Sequence, residues 1–267
     1  MKKTIVYALV LVVILAVVLL VVFLGDKNLD MQSEQVSSLY SYLGEVDIYH
    51  CGGLNQYSGD EVTYDTISNE NKLCMAYYEL NQDEIEVDSS IVTTTNESDV
   101  DICEIGEGIR LAADEDMNNC SYESFSQTEL AIAYEKIYGN SLPDDEEFYI
   151  SNTKACYLEG DTYYCGNAET IVYSLTPEAT IYRLMNQAVE KLNGDIVITD
   201  YYLKVSGNKC YSSNNANNEI AACSSSLAEN DNLEIDAEFV QEYGTLYKHT
   251  FKKDDQGNYY WYASDLN

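Results

Sequence analysis

Proline, histidine, tryptophan and basic residues are all scarce in this chain, and each shortage removes a class of explanation. Two prolines and fourteen glycines in 267 residues are too few for a linker-rich or low-complexity protein. The two histidines, His50 and His249, lie outside any H-E-x-x-H pattern, and both fall in expected strands, where they read as sheet side chains. No G-x-S-x-G, P-loop or G-x-G-x-x-G is present, so the common nucleophile, phosphate and dinucleotide signatures are missing. Only 14 Lys and Arg stand against 46 Asp and Glu, a net charge of -32. Such a surface repels nucleic acid and anionic lipid headgroups and attracts divalent cations and basic partners. No C-x-x-C pair occurs among the eight cysteines, and zinc sites need ligands paired at short spacing.

One long apolar run is present. Thr4 to Leu24 carries no charge and no proline across 21 residues. As a helix it would span about 31 Å, the thickness of a hydrocarbon core. Its seventeen Val, Leu, Ile and Phe residues favour insertion by about 7 kcal/mol. A cleaved signal peptide is the competing reading, but its apolar region is shorter and ends at small residues, whereas this run exits through Phe23-Leu24-Gly25-Asp26. Residues 1–25 are therefore expected to be a cytosolic stub and one N-terminal transmembrane helix, with 26–32 a stalk. Lys2 and Lys3 precede the run, so the positive-inside rule keeps the N-terminus cytosolic and exports the rest to the cell exterior. Twelve basic and all 46 acidic residues follow the run, which leaves the exported part at -34.

All eight cysteines, Cys51, Cys74, Cys103, Cys120, Cys156, Cys165, Cys210 and Cys223, lie on the exported side. In an oxidising compartment an even set is a disulfide framework. Sequential pairing is expected: 51–74, 103–120, 156–165 and 210–223. The 156–165 pair has the firmest basis, because two aromatic runs flank Glu159-Gly160-Asp161 and place those cysteines as cross-strand partners of a hairpin.

Along the rest of the chain, Ser33 caps a short helix with Val36, Leu39, Tyr40 and Leu43 on one face, stopped by Gly44. Val46–Cys51 and Glu61–Tyr64 read as strands. Ser68 caps a helix to about Leu80, and the alternation of Glu84 to Asp88 begins a half-buried strand. Ser126 and Glu129 form a capping box, Phe125 and Leu130 a hydrophobic staple, and the helix runs to Tyr138 before Gly139-Asn140. Thr176-Pro177-Glu178 opens a further helix with Ile181, Leu184, Met185, Ala188 and Leu192 as its apolar stripe. Ile196–Val205 is a strand, and Thr245–Lys253 with Asn258–Ala263 forms a closing hairpin around Asp254-Asp255-Gln256-Gly257. The expected class is α+β, an antiparallel sheet with helices stapled by disulfides, its ectodomain divided into parts at 33–150 and 151–267.

The last third, read as long helix, strand and a strand pair ending in Tyr259-Tyr260-Trp261-Tyr262, resembles a cystatin-like or NTF2-like curved sheet on a helix. Through Lys72-Leu73-Cys74-Met75-Ala76-Tyr77, Glu135-Lys136-Ile137-Tyr138-Gly139 and the closing hairpin, the chain also resembles single-pass, disulfide-containing ectodomain proteins of low-GC bacteria. That resemblance implies no activity.

Two candidate sites emerge. Asp114, Asp116 and Asn118 stand at positions 1, 3 and 5 of an EF-like calcium loop, but position 6 is Asn119, not glycine, and position 12 is Phe125, not glutamate. The second is aromatic. There are 25 tyrosines, and Tyr259, Tyr260, Trp261 and Tyr262 offer rigid area with polar tips suited to recognition or carbohydrate stacking. The leading functional expectation is a non-enzymatic, membrane-anchored extracytoplasmic protein that binds another envelope protein, a peptide or a glycan, with no nucleic-acid partner. The alternatives are an exported carboxylate-dependent hydrolase of cell-wall or sugar polymers and a structural subunit of an envelope assembly.

Overall fold

A computed structural model describes residues 25–43, 61–80, 83, 85–96, 98–106, 108–115, 118–151, 153–169, 179–213, 217–229 and 234–266. In chain order its elements are β1 (Lys27–Asn28), α1 (Glu34–Ser41), β2 (Glu61–Thr63), α2 (Asn69–Tyr78), β3 (Glu86–Ile91), β4 (Thr94–Thr95), β5 (Asp101–Ile105) and β6 (Ile109–Ala112). There follow β7 (Asn119–Ser126), α3 (Gln127–Tyr138), β8 (Glu147–Tyr149), β9 (Lys154–Glu159), β10 (Thr162–Asn167), β11 (Thr180–Glu190), β12 (Ile196–Ser206) and β13 (Lys209–Tyr211). The last four are α4 (Ala221–Glu229), α5 (Ala237–Tyr243), β14 (Thr245–Lys253) and β15 (Tyr259–Leu266).

The strands form three antiparallel sheets. The largest runs β1-β11-β12-β14-β15-β2, with β13 also on β12; the second runs β3-β7-β10-β9-β8; the third is β4-β5-β6. One core joins both larger sheets to the first three helices. It holds Val36 and Leu39 of α1, Leu73 and Ala76 of α2, Leu130 and Ile137 of α3, Phe125 and Tyr163 of the second sheet, and Ile198, Phe251 and Trp261 of the first. The other face of β12 buries Leu203 and Val205 against α4 and α5 through Leu227, Phe239 and Val240. Strand β12 is thus covered on both faces, which is why Thr199, Asp200 and Lys204 are buried along with its apolar residues.

The α+β expectation needs correction: the fold is mostly antiparallel sheet with a few short helices. The largest single error is at 176–192. The expected helix start at 176–178 lies outside the described residues, and 180–190 is an eleven-residue strand. A β-bulge between Met185 and Gln187 accounts for the misreading. Ile181, Arg183 and Met185 share a face two residues apart; the extra residue then moves the next member of that face to Ala188. Spacings of four and three within a strand imitate a helical stripe. With that helix gone, the order that suggested a cystatin-like or NTF2-like last third is no longer helix first.

Among the described residues no helix is long and apolar enough to cross a membrane; the segment expected to do so, 4–24, lies outside them, as do the expected strand 46–51 and Cys51. The second sheet pairs β7 with β10, so it takes strands from both sides of residue 150. Strand β3 matches the expected alternation in position but not in burial, because it is exposed almost throughout.

Other expectations stand. Helices α1, α2 and α3 begin at Ser33, Ser68 and Ser126, and α3 has the full reciprocal capping box and a left-handed stop at Gly139. Three of the sequential disulfides are formed, Cys103–Cys120, Cys156–Cys165 and Cys210–Cys223, and Cys74 is disulfide-bonded as well. Cys156 and Cys165 are direct cross-strand partners of the β9–β10 hairpin.

Candidate functional site

The chemistry-bearing side chains with the strongest mutual geometry meet inside the large sheet. Arg183 of β11, Asp200 of β12, and His249 and Ser264 of the closing hairpin share the core-facing side, brought level by the registers Met185↔Asp200, Ile198↔His249 and His249↔Ser264. Arg183 Nε donates to Asp200 Oδ2 at 2.6 Å, and the Tyr40 hydroxyl of α1 donates to the same oxygen at 2.9 Å. His249 Nε2 stands 2.8 Å from Asp200 Oδ1, and its Nδ1 stands 2.6 Å from Ser264 Oγ. Trp261 Nε1 donates to that Oγ at 2.9 Å. An indole can only donate, so Ser264 Oγ accepts from Trp261. His249 Nε2 lies between two groups, Asp200 Oδ1 at 2.8 Å and the Arg183 Nη2 donor at 2.9 Å.

Burial lowers the His249 pKa, against the opposing pull of the Asp200 carboxylate, and the ring is neutral. Burial by itself would raise Asp200, but Arg183 and then His249 outweigh it and hold the carboxyl well below the usual carboxylate range. Burial, reinforced by Asp200, raises the Tyr40 phenol. A Ser–His–Asp set invites comparison with a hydrolase, yet Asp200 and His249 are 0% exposed and Ser264 is 1% exposed. A nucleophile must reach its substrate, and this hydroxyl does not. The network is structural: Tyr40, together with Arg183 Nη1 donating to the Leu43 carbonyl at 2.8 Å, fastens α1 to the sheet.

Fastening α1 matters because that helix forms one wall of a groove of about 550 Å³. Gln35, Ser38, Leu39 and Tyr42 line it from α1 and its end at spacings of three, one and three residues; Ile132, Glu135 and Lys136 face them from α3. Asp254, Gln256, Gly257 and Asn258 of the β14–β15 turn, with Tyr259 and Tyr260, complete the lining. The turn is self-bonded: Asp254 Oδ1 accepts from the amides of Gln256 and Asn258, each at 2.8 Å. Desolvation raises Asp254, but these amides, the Gly257 amide and the Asn258 side chain together prevail and lower its pKa. It is an ionised turn-former and no proton donor.

The rings are positioned by backbone. Tyr259 donates its hydroxyl to the Gly194 carbonyl at 3.0 Å. Tyr260 lies against the α3 stop, where a Cβ on Gly139 would come within 2.7 Å of the ring. Lys136 is held 3.2 Å from Glu79 and 5.5 Å from the centre of the Tyr42 ring. What remains for a ligand is aromatic faces, amides, hydroxyls and the exposed Glu135 carboxylate.

The aromatic cluster chosen from the sequence therefore divides. Tyr259 and Tyr260 line the groove, Trp261 is fully buried, and Tyr262 is exposed beneath the Lys252 ammonium at 3.1 Å. In the acidic loop, Asp114 is engaged by the Ser121 amide and hydroxyl at 2.9 and 2.7 Å and by Asn167 at 3.0 Å. Asn118 is exposed and Asp116 lies outside the described residues. Among the described residues no three His, Cys, Asp or Glu side chains gather as a metal would require. The walls from α1 and α3 were beyond sequence reasoning, since nothing in either helix says that they face a turn more than a hundred residues away. No family model, curated protein or solved structure matches this chain.

Proposed function

We propose that this is an extracytoplasmic binding protein, carried to the membrane by its apolar residues 4–24, that takes an uncharged glycan into the groove between α1, α3 and the β14–β15 turn. The observation that carries the reading is the lining: the rings of Tyr42, Tyr259 and Tyr260 beside the amides of Gln35, Gln256 and Asn258. Sugar rings present apolar faces to aromatic rings and hydroxyls to amides, so this lining suits them. The charge disfavours an anionic ligand, because -32 repels polyanions. The disulfides support the compartment, since such bonds persist where conditions oxidise.

The test is an NMR titration of full-length, disulfide-intact protein with neutral glucose and N-acetylglucosamine oligomers. Shifts should centre on Tyr259, Tyr260 and the α1 wall. Tyr260→Ala should weaken binding about tenfold, or ~1.4 kcal/mol, and Tyr262→Ala should leave it unchanged. Equal losses in both variants, or shifts scattered away from the groove, would refute the reading.

A further inference from the structure

The second sheet ends in an open edge. Strand β3 pairs with β7 through six consecutive residues, Glu86↔Ser124 to Ile91↔Asn119, without a bulge. On its outer side no strand follows among the described residues. Natural edges are blunted by proline, lysine, bulges or a covering element. Proline, lysine and bulges are missing from Glu86–Ile91, and Glu86 and Asp88 are its only charged side chains. Instead Val87 and Ile91, which share one face, are 76% and 75% exposed. The Ser89 amide donates to the carboxylate of its own neighbour, Asp88, at 2.7 Å. A strand in this condition presents alternate amides and carbonyls in straight register to an incoming chain.

We propose that β3 is a docking edge for an extended, basic segment of a partner protein, which adds to the sheet as an antiparallel or parallel sixth strand. Alternation decides the partner's chemistry. Val87, Ser89 and Ile91 form one face and Glu86, Asp88 and Ser90 the other, so the complementary strand is apolar on one side and carries Lys or Arg on the other. A second copy of this chain is the wrong occupant. When the apolar faces of two copies lie on one side of a joined sheet, Glu86 and Asp88 of both copies crowd the other side, and each copy carries a net charge of -32. The same charge speeds the arrival of a basic partner. Main-chain pairing supplies affinity and the side-chain faces supply selectivity, as in other strand-addition interfaces. The site is separate from the groove, and the two proposals stand or fall independently.

The probe is a nine-residue acetylated peptide alternating lysine and valine, tested by calorimetry and amide hydrogen exchange on the full-length, disulfide-intact protein. The same peptide N-methylated at alternate residues serves as control. Saturable binding is expected, with new protection at the amides of Val87, Ser89 and Ile91. The N-methylated control should bind at least tenfold more weakly, and so should the Val87→Lys/Ile91→Lys variant, whose substitutions are at solvent-exposed positions. Equal affinity for the two peptides would reduce the effect to charge attraction and overturn the proposal. Protection elsewhere, or a concentration-dependent dimer abolished by the double variant, would overturn it as well.

Discussion

Replacing Arg183 with methionine would leave the Asp200 carboxylate in the core without its main counter-charge. The Asp200 side chain is 0% exposed and that of Arg183 is 5% exposed, so solvent compensates neither. Breaking such a pair from one side costs about 3–5 kcal/mol, most of it the uncompensated buried charge. Here Tyr40 still donates to Asp200 and His249 still lies 2.8 Å from it, which places the cost near the lower end, about 3 kcal/mol. Domains are stable by about 5–15 kcal/mol. For a chain of this length each kcal/mol moves Tm by roughly 2–4 °C, so Arg183→Met should melt about 6–12 °C lower. Removing the charge as well, in Arg183→Met/Asp200→Leu, should recover at least half of the loss, because the cost lies in isolation of the charge and not in the absence of the bridge. The assay is urea and thermal unfolding of the disulfide-intact protein, with both single variants and the double variant analysed as a cycle. A loss below about 1 kcal/mol in Arg183→Met, or simple additivity in the cycle, would refute the view that this network is what fastens α1.

Stability should also fall with acid in a defined window. The folded pKa of His249 lies below its ordinary value of about 6.5, so below that pH the unfolded chain binds a proton that the fold refuses. Stability is then complete above about pH 6.5 and declines beneath it by up to about 1.4 kcal/mol per pH unit. Asp200, depressed in the fold, adds its own loss only below about pH 4. Urea midpoints at pH 7.5, 6.5 and 5.5 should show the slope, and His249→Gln should flatten it; an unchanged slope would contradict the assignment. Gly139→Ala should cost at least 1 kcal/mol, because φ is +63° and the added carbon meets the Tyr260 ring. The same variant should weaken ligand binding in the groove, read in the titration that tests Tyr260→Ala.

Local chemistry was legible where the cause is local. The serine caps of α1, α2 and α3 and the capping box of α3 depend on residues three positions apart, and the Cys156–Cys165 hairpin depends on ten. Strand β11 was illegible because its bulge gives a strand the spacing of a helix, and only pairing with β12 reveals which it is. The closing aromatic cluster showed its composition but not its division. A second bulge, between Thr250 and Phe251, helps to set the faces, leaving Trp261 in the core and Tyr262 outside it.

By itself the sequence determined the acidity, the even cysteine set, the helix starts and the turn residues, since each follows from charge count or from contacts within a few residues. Tertiary structure decided what alternation and charge leave open. It selected which strands lie side by side, and so which acid, arginine and histidine share a buried face. It also selected which two helices and one turn enclose a groove. Those outcomes depend on burial, and burial belongs to the packed whole, because an aspartate on an edge is solvated whereas Asp200, in the middle of a sheet, needs Arg183 and Tyr40 as donors.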